Sequence, residues 1–188
     1  MQGIEPLLQW LRNKQLQPYI SSSLKNGTVV DLGCDAEYTF LRSISSQIQT
    51  GIGIDIIKLP KKVGNLKFLQ ANIDDPTKKL PLPSGKADLV TMLAVLEHLK
   101  HPEHALRESG RLLKKGGVLL VAVPTTMAEL PLEIMARIGL VRKDMIDQHE
   151  NYFTWRRLKR ITAEAGFSKI QLHLWTFGFV TFMRAVKK

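Results

Sequence analysis

Short apolar runs alternate along most of this chain with stretches whose apolar residues fall at helical spacing. Val29-Val30-Asp31-Leu32, Gly51 to Asp55, Leu66 to Ala71, Ala87 to Leu93 and Val118 to Val123 each read as a short strand. Between them, Tyr38 to Ile48 and the region from about Pro102 to Leu113 read as helices. Gly116-Gly117 predicts the break after the second helix, and Pro124 the end of the fifth strand. Ahead of these elements, Leu7, Leu8, Trp10, Leu11 and Leu16 fit one face of an amphipathic helix from about Ile4 to Ile20, and Ser21 to Thr28 reads as a loop. Strands alternating with helices predict an α/β fold with a parallel sheet and right-handed crossovers.

The end of the chain follows another pattern. Thr154 to Ala165 predicts a helix stopped by Gly166, and two strands follow, Ser168 to Leu174 and Phe179 to Val186. The turn at Thr176-Phe177-Gly178 is too short for a parallel crossover of about a dozen residues, so this pair is antiparallel. Between Pro124 and Tyr152 runs a longer connection with an expected short helix, Ala128 to Ile138, made apolar by Met127, Leu130, Leu132, Ile134 and Met135. Connections of that length serve as lids or binding loops. Residues 1–188 read as a single domain, with 1–28 an N-terminal helix and linker and 124–152 the connection over the site.

In an open parallel sheet, ligands bind beyond the carboxyl ends of the strands, where strand order reverses. That rule gathers Asp31 to Glu37, Asp55-Ile56, Asn72-Ile73, Leu93 to His98 and the residues after Pro124. Gly33 permits a tight turn after the first strand. Asp55, at the end of the second, can accept hydrogen bonds from both hydroxyls of a ribose. These features fit nucleotide-binding α/β proteins in general. The full Gly-x-Gly-x-x-Gly loop of a nicotinamide dehydrogenase is missing.

Two longer segments narrow the reading: Ala-Asp-Leu-Val-Thr-Met-Leu-Ala-Val-Leu-Glu-His-Leu at 87–99 and Arg-Leu-Leu-Lys-Lys-Gly-Gly-Val-Leu-Leu-Val-Ala-Val-Pro at 111–124. With Tyr152-Phe153-Thr154, Leu158 and Ala163-Glu164-Ala165-Gly166-Phe167, they resemble the class I S-adenosylmethionine (SAM)-dependent methyltransferases. The subgroup they look most like carries Leu-Glu-His after the fourth strand. The resemblance runs from Val29 to the C-terminus. It implies a Rossmann-like three-layer sandwich whose mostly parallel seven-stranded sheet has an antiparallel C-terminal strand, in agreement with the hairpin read above. It also implies transfer of the SAM methyl group, with S-adenosylhomocysteine as product. No metal is expected, because Ala94, three positions before Glu97, supplies no ligand.

Residue by residue, the resemblance places Asp31 and Gly33 at the methionine end of SAM, with Cys34 in the same loop. Asp55 would hold the ribose and Ile56 would pack on the adenine. Asn72 and the Ile73 backbone would face the adenine amino group, and Leu93 and Ala94 would line the wall near the sulfonium. The first loop departs from the family pattern, with Asp35 and Glu37 where glycine is usual. A carboxylate at 35 is an unfavourable neighbour for the methionine carboxylate unless it points away. Methyl transfer needs chiefly alignment, and a base only when the acceptor must lose a proton. His149, in Gln-His-Glu-Asn-Tyr-Phe, is the first candidate for that role and His98 the second; packing and capping explain His98 equally well. His101 and His104, at a helix start, read as solvent-facing.

Composition changes little of this. A hydrophobic share of 44% suits a globular chain, no apolar run approaches the ~20 residues of a membrane span, and the first residues lack signal-peptide order. The expectation is a cytoplasmic protein without stable membrane insertion. The single cysteine, Cys34, leaves no partner for an intramolecular disulfide. The net charge of +10 is unusual, and such a surface can attract RNA, DNA, anionic lipid or an acidic substrate. Its densest cluster, Arg156, Arg157, Lys159 and Arg160, suits a solvated helix face as well as a phosphate track. The leading expectation is a small-molecule acceptor. The alternatives are an RNA methyltransferase, motivated by charge, and a non-catalytic methyltransferase-fold scaffold, motivated by Asp35 and Glu37.

Overall fold

Consecutive residues of the central strands point to opposite faces of the sheet, and here both faces are covered. The computed structural model describes residues 10, 11, 14, 16, 18–20, 24, 26–125, 151, 153–175 and 178–188. Among these, eight strands form one sheet: β1 (Thr28–Leu32), β2 (Thr50–Asp55), β3 (Lys62–Val63), β4 (Leu66–Gln70), β5 (Ala87–Leu93), β6 (Leu113–Pro124), β7 (Phe167–Trp175) and β8 (Val180–Lys187). Their order is β3-β4-β2-β1-β5-β6-β8-β7. β4, β2, β1, β5 and β6 pair in parallel, and β8 runs antiparallel to both β6 and β7. The expected seven strands are present with the antiparallel pairing in place. The eighth is the two-residue edge strand β3, too short to show a period in sequence.

The alternation is visible in the two cores. Val30, Val90, Leu119, Val121 and Met183 pack with Ala105, Leu106 and Leu112 of helix α2 (Pro102–Leu112) and with Leu158 and Ile161 of α3 (Trp155–Glu164). Their strand neighbours Val29, Leu89, Leu120 and Phe182 pack on the other face with Leu41 and Ile44 of α1 (Thr39–Ile44) and with Leu16 and Ile20. The described positions between Trp10 and Ile20 are helical, as their spacing predicts. Sheets buried on both faces in this way are the ones that tolerate all-parallel pairing.

Three expectations are corrected. The first helix ends at Ile44 and gives way to a 3-10 turn, Ser45–Gln47. The hydroxyls of Ser43 and Ser45 donate to the carbonyls of Phe40 and Arg42, and Asn65 Nδ2 donates to those of Ser45 and Ile48 at 2.9 Å each. Such bonds compete with the helical ladder. The second correction concerns β6, which begins at Leu113 and not at Val118, directly after α2 stops at Leu112, within a residue of its expected end. The carbonyls at this junction find tertiary donors: Gly85 N–H on Arg111, Lys86 N–H on Leu112 and Lys187 Nζ on Leu113. A helix end satisfied by the sheet needs no glycine cap. Third, His104 is buried, not solvent-facing, while His101 is exposed.

Below His104 on the same helix sits a clasp. Glu108 is buried and takes two hydrogen bonds from Arg111, at 2.8 and 2.7 Å, and one from Leu80 N–H at 2.8 Å. The Arg111 guanidinium also donates to the carbonyls of Leu80 and Leu82. The clasp fastens the proline-rich run before β5 to α2. Burial pushes the Glu108 carboxyl up, but the bonds from Arg111 and Leu80 outweigh it, and the net direction is below the ordinary value of about 4.5. A lowered folded-state value adds stability above the unfolded-state value, and that stability is lost as pH falls through the folded one. Urea unfolding followed from pH 7 into the acid range should therefore show a smaller acid loss in Glu108→Gln than in the parent. Arg111→Lys keeps the charge but not the fork to two carbonyls, and should cost about 2 kcal/mol at pH 7.

Candidate active site

The chain runs from β1 outward through β2 and β4, then returns to place β5 on the other side of β1, so strand order reverses between β1 and β5. In an open parallel sheet that reversal makes the carboxyl ends of those two strands the flanks of the ligand crevice. On the β1 side, Gly33 turns the chain with φ +74° and donates its N–H to Ile54 O at 2.8 Å. A Cβ at Gly33 would lie 2.4 Å from Val95 Cγ2, so the loops after β1 and β5 touch here. Glycine is required twice at this position, for its dihedral and for its missing side chain.

Asp31 and Thr91 are direct partners across the β1–β5 ladder, and the Thr91 hydroxyl donates to Asp31 Oδ1 at 2.5 Å. Both side chains are buried. Asp55 stands at the end of β2 with both carboxylate oxygens oriented. Oδ2 accepts from Asp35 N–H at 3.1 Å, and Oδ1 from Ile57 N–H at 3.2 Å. Each oxygen keeps a further lone pair for a ligand donor.

The departure of the first loop from glycine has a physical account. Asp35 does adopt the left-handed conformation, φ 60°, that glycine favours. Asp is among the few other residue types that enter this region readily. Its carboxylate folds back, Oδ1 accepting Glu37 N–H at 2.7 Å. Glu37 itself is exposed and has no positive φ, so its backbone makes no demand for glycine. Ala94, just past the end of β5, is also left-handed, with φ 59°. It is exposed, and its N–H is held by Ala122 O at 2.8 Å. Conformations that cost about 1 to 2 kcal/mol per residue thus stand at the ends of both flanking strands.

The remaining expected residues are placed as follows. Cys34 is buried beneath Gly53, where a Cβ would come 2.6 Å from its Sγ, so its side chain packs in the core and not in the crevice. Burial pushes its thiol far up, reinforced by the negative charges of Asp31, Asp55 and Asp35. A thiol buried in this way packs as a small apolar group. Ile56 is 63% exposed at the mouth. Asn72 is exposed and its Oδ1 accepts Asp74 N–H at 2.9 Å, while Ile73 and Leu93 are buried. His98 follows β5 in a 3-10 turn, Leu96–His98. His149 and the expected helix at 128–138 lie outside the described residues. Among the described residues no group of His, Cys, Asp or Glu converges as a metal-ligand set.

Three framing residues had gone unread. Thr91 carried a signal, since a hydroxyl in an otherwise apolar strand needs a partner when buried. Asp74 accepts the N–H groups of Lys100 and His101 at 3.0 and 2.7 Å, joining the loop after β4 to the one after β5. Asn151 donates its N–H to Glu97 O at 2.9 Å and its amide to Leu99 O at 2.6 Å, tying the far end of the long connection to the same turn. Neither pairing has a local sequence signature. In the basic cluster of α3, Arg157 lies over the Phe153 ring at 4.9 Å and Arg160 pairs with Glu164 at 3.2 Å. Those contacts fit a solvated helix face.

The profile of a family described as a methyltransferase domain matches residues 8–172. A ubiquinone/menaquinone biosynthesis C-methyltransferase of Pseudomonas savastanoi pv. phaseolicola is 35% identical over 143 residues, covering 66% of this chain and 53% of that protein. This chain thus spans about half the length of that relative. Among solved structures, a SAM-dependent methyltransferase from Archaeoglobus fulgidus superposes with a TM-score of 0.72 at 16% identity, over 95% of this chain and 94% of that one. A phosphoethanolamine N-methyltransferase from Haemonchus contortus, in complex with phosphomonomethylethanolamine and S-adenosylhomocysteine, gives 0.70 at 13% identity, over 95% of this chain and 53% of that one. At such identities the superpositions speak for the fold.

Proposed function

Because this chain belongs to the class I SAM-dependent methyltransferases, we propose that it transfers the methyl group of SAM to a small-molecule acceptor. The observation that carries the reading is the electrostatics of the crevice. Although the protein has a net charge of +10, Asp31, Asp35 and Asp55 gather at the carboxyl ends of the paired strands β1 and β2, where Asp35 N–H donates to Asp55 Oδ2 at 3.1 Å. A cluster of carboxylates on a basic molecule suits a ligand that carries positive charge, and SAM has both a sulfonium and an ammonium group. Bound there, SAM supplies a methyl carbon already activated for displacement.

The residues of the chain then bind and align. Asp55, oriented by two backbone N–H groups, accepts from the ribose hydroxyls. Asp31, fixed by Thr91, holds the cationic methionine end, and the folded-back Asp35 keeps its charge off the cofactor carboxylate. Ile56 covers one face of the adenine; Asn72 retains its amide N–H groups and a second lone pair for the ring edge. Leu93 and exposed Ala94 leave the wall beside the sulfonium smooth. The acceptor enters between Ala94, Thr125 and the turn that Asn151 anchors. His149, two positions before Asn151 in sequence, takes the acceptor proton where one must leave, with His98 as the second candidate. The apolar character of residues 127–138 favours an apolar acceptor, in keeping with the quinone pathway named for the Pseudomonas relative.

Titration calorimetry with SAM and S-adenosylhomocysteine tests the reading, followed by transfer of labelled methyl to a quinol-like phenol. Binding of both cofactor forms is expected, and no heat at millimolar ligand would sink the proposal. With a protonated acceptor, His149→Asn is expected to lower kcat about 100-fold while leaving SAM affinity unchanged. Equal kcat would remove it as the base.

A further inference from the structure

The segment that leaves the crevice carries a surface the methyl transfer does not use. From Ile56 to Leu69 the chain reads Ile-Ile-Lys-Leu-Pro-Lys-Lys-Val-Gly-Asn-Leu-Lys-Phe-Leu, with no acidic residue. It doubles back along the free edge of the sheet. Gln70 Nε2 donates to Ile56 O at 2.9 Å, Phe68 N–H donates to Lys61 O at 3.1 Å, and Lys62 and Val63 stand opposite Lys67 and Leu66. Leu66 and Phe68 turn into the core. The outward side chains include Ile57 at 39% exposure and Val63 at 41%, with Lys58, Lys61, Lys62 and Lys67 exposed in the same hairpin; Val63 and the Lys62–Lys67 pair lie on opposite faces of the two strands, so the sheet edge between them presents both. None of these lysines makes an ion pair among the described residues. Lys62 and Lys67 are direct cross-strand partners, an arrangement of like charges that is unfavourable until an anion lies against it.

We propose that this edge hairpin docks the protein on an anionic lipid surface, with the lysines on the headgroups and Ile57 and Val63 at the acyl boundary. Clustered lysines are drawn to anionic bilayers, and exposed apolar side chains among them gain by entering the interface. Lysines also guard sheet edges against pairing, but that role does not call for exposed Ile57 and Val63. A nucleic acid fits less well. Its single strands are held by aromatic stacking and arginine forks, whereas the one aromatic of this segment, Phe68, is buried and every cation is lysine. Edge pairing with a second copy would set the two lysine groups against each other. The hairpin begins next to Asp55, so docking turns the crevice mouth toward the lipid, where an apolar acceptor concentrates.

The test is cosedimentation of the full chain with vesicles of phosphatidylcholine alone and of phosphatidylcholine with phosphatidylglycerol. Binding to the anionic vesicles only, weakened by salt, is expected. Lys61→Gln with Lys62→Gln should lower the partition coefficient about 25-fold, from about fivefold per lysine. Val63→Ser should lower it about threefold with every lysine kept. Both variants should bind SAM as the parent does, which separates this proposal from the cofactor reading and reports an intact fold. Absence of anionic-vesicle binding would overturn the proposal, as would full binding by the lysine variant. So would a serine variant that binds unchanged, RNA held more tightly than vesicles through the same lysines, or a dimer that the lysine variant dissolves.

Discussion

Gly33→Val is expected to lower the free energy of unfolding by about 4 kcal/mol, combining left-handed backbone strain with overpacking. The two contributions come from separate observations. At φ +74° a β-branched side chain is strained whatever surrounds it, and the new Cβ would also stand 2.4 Å from Val95 Cγ2 and 2.9 Å from Val95 Cγ1. Val95 cannot simply step aside, because it sits between Ala94, tied to Ala122 O, and the turn whose His98 N–H bonds to Val95 O. Urea denaturation with a structural probe measures the change. Adding Val95→Ala relieves the clash but not the dihedral, so the double variant should recover about half of the loss. A single variant within about 1 kcal/mol of the parent would mean that the loops after β1 and β5 are not in contact as described.

Asp55→Ala is expected to weaken SAM binding about 300-fold, the loss of two charge-assisted hydrogen bonds. The carboxylate bridges the loops after β1 and β2, so its removal also frees Asp35 N–H and Ile57 N–H. Those two groups are near solvent and can turn to water, which keeps the stability change small beside the change in affinity. Asp55→Asn retains an acceptor for one partner and should bind about tenfold more weakly than the parent. Calorimetry with S-adenosylhomocysteine gives the same comparison without turnover. If Asp55→Ala bound as well as the parent, the ribose would be held elsewhere and the crevice assignment would fail.

The fold was legible wherever one residue's environment repeats along a strand or helix. β2 and β5 appear within a residue of their expected bounds because burial on both faces leaves a long apolar mark, and the closing hairpin does so because its edge strand β7 alternates between half-buried and exposed positions. Gly33 and Asp55 stood out for a similar reason: a strand, a turn glycine and a later acid are separated by a length that the β-α-β unit itself sets. The unread parts share another cause. β3 spans two exposed residues and exists through its pairing with β4. β6 starts at Leu113, ahead of its expected Val118, where Gly85, Lys86 and Lys187 reach the carbonyls of Arg111, Leu112 and Leu113 from places remote in the chain. His104 is buried because its helix face meets the body of the protein, although a histidine beside a charged residue at a helix start looks polar.

Residue order alone therefore determined the two periodicities, the sites of the sharp turns, the antiparallel close of the sheet and the acids standing at its strand ends. Tertiary structure decided which of those acids have partners. Asp31 meets Thr91 only through the register of β1 on β5, Asp74 caps Lys100 and His101 only once β4 and β5 lie on either side of the paired β2 and β1, and the amide of Asn151 reaches Leu99 across a separation of 52 residues. A period records one residue's surroundings along its own element. A hydrogen bond between elements depends on their order and register, which emerge when the whole sheet has assembled.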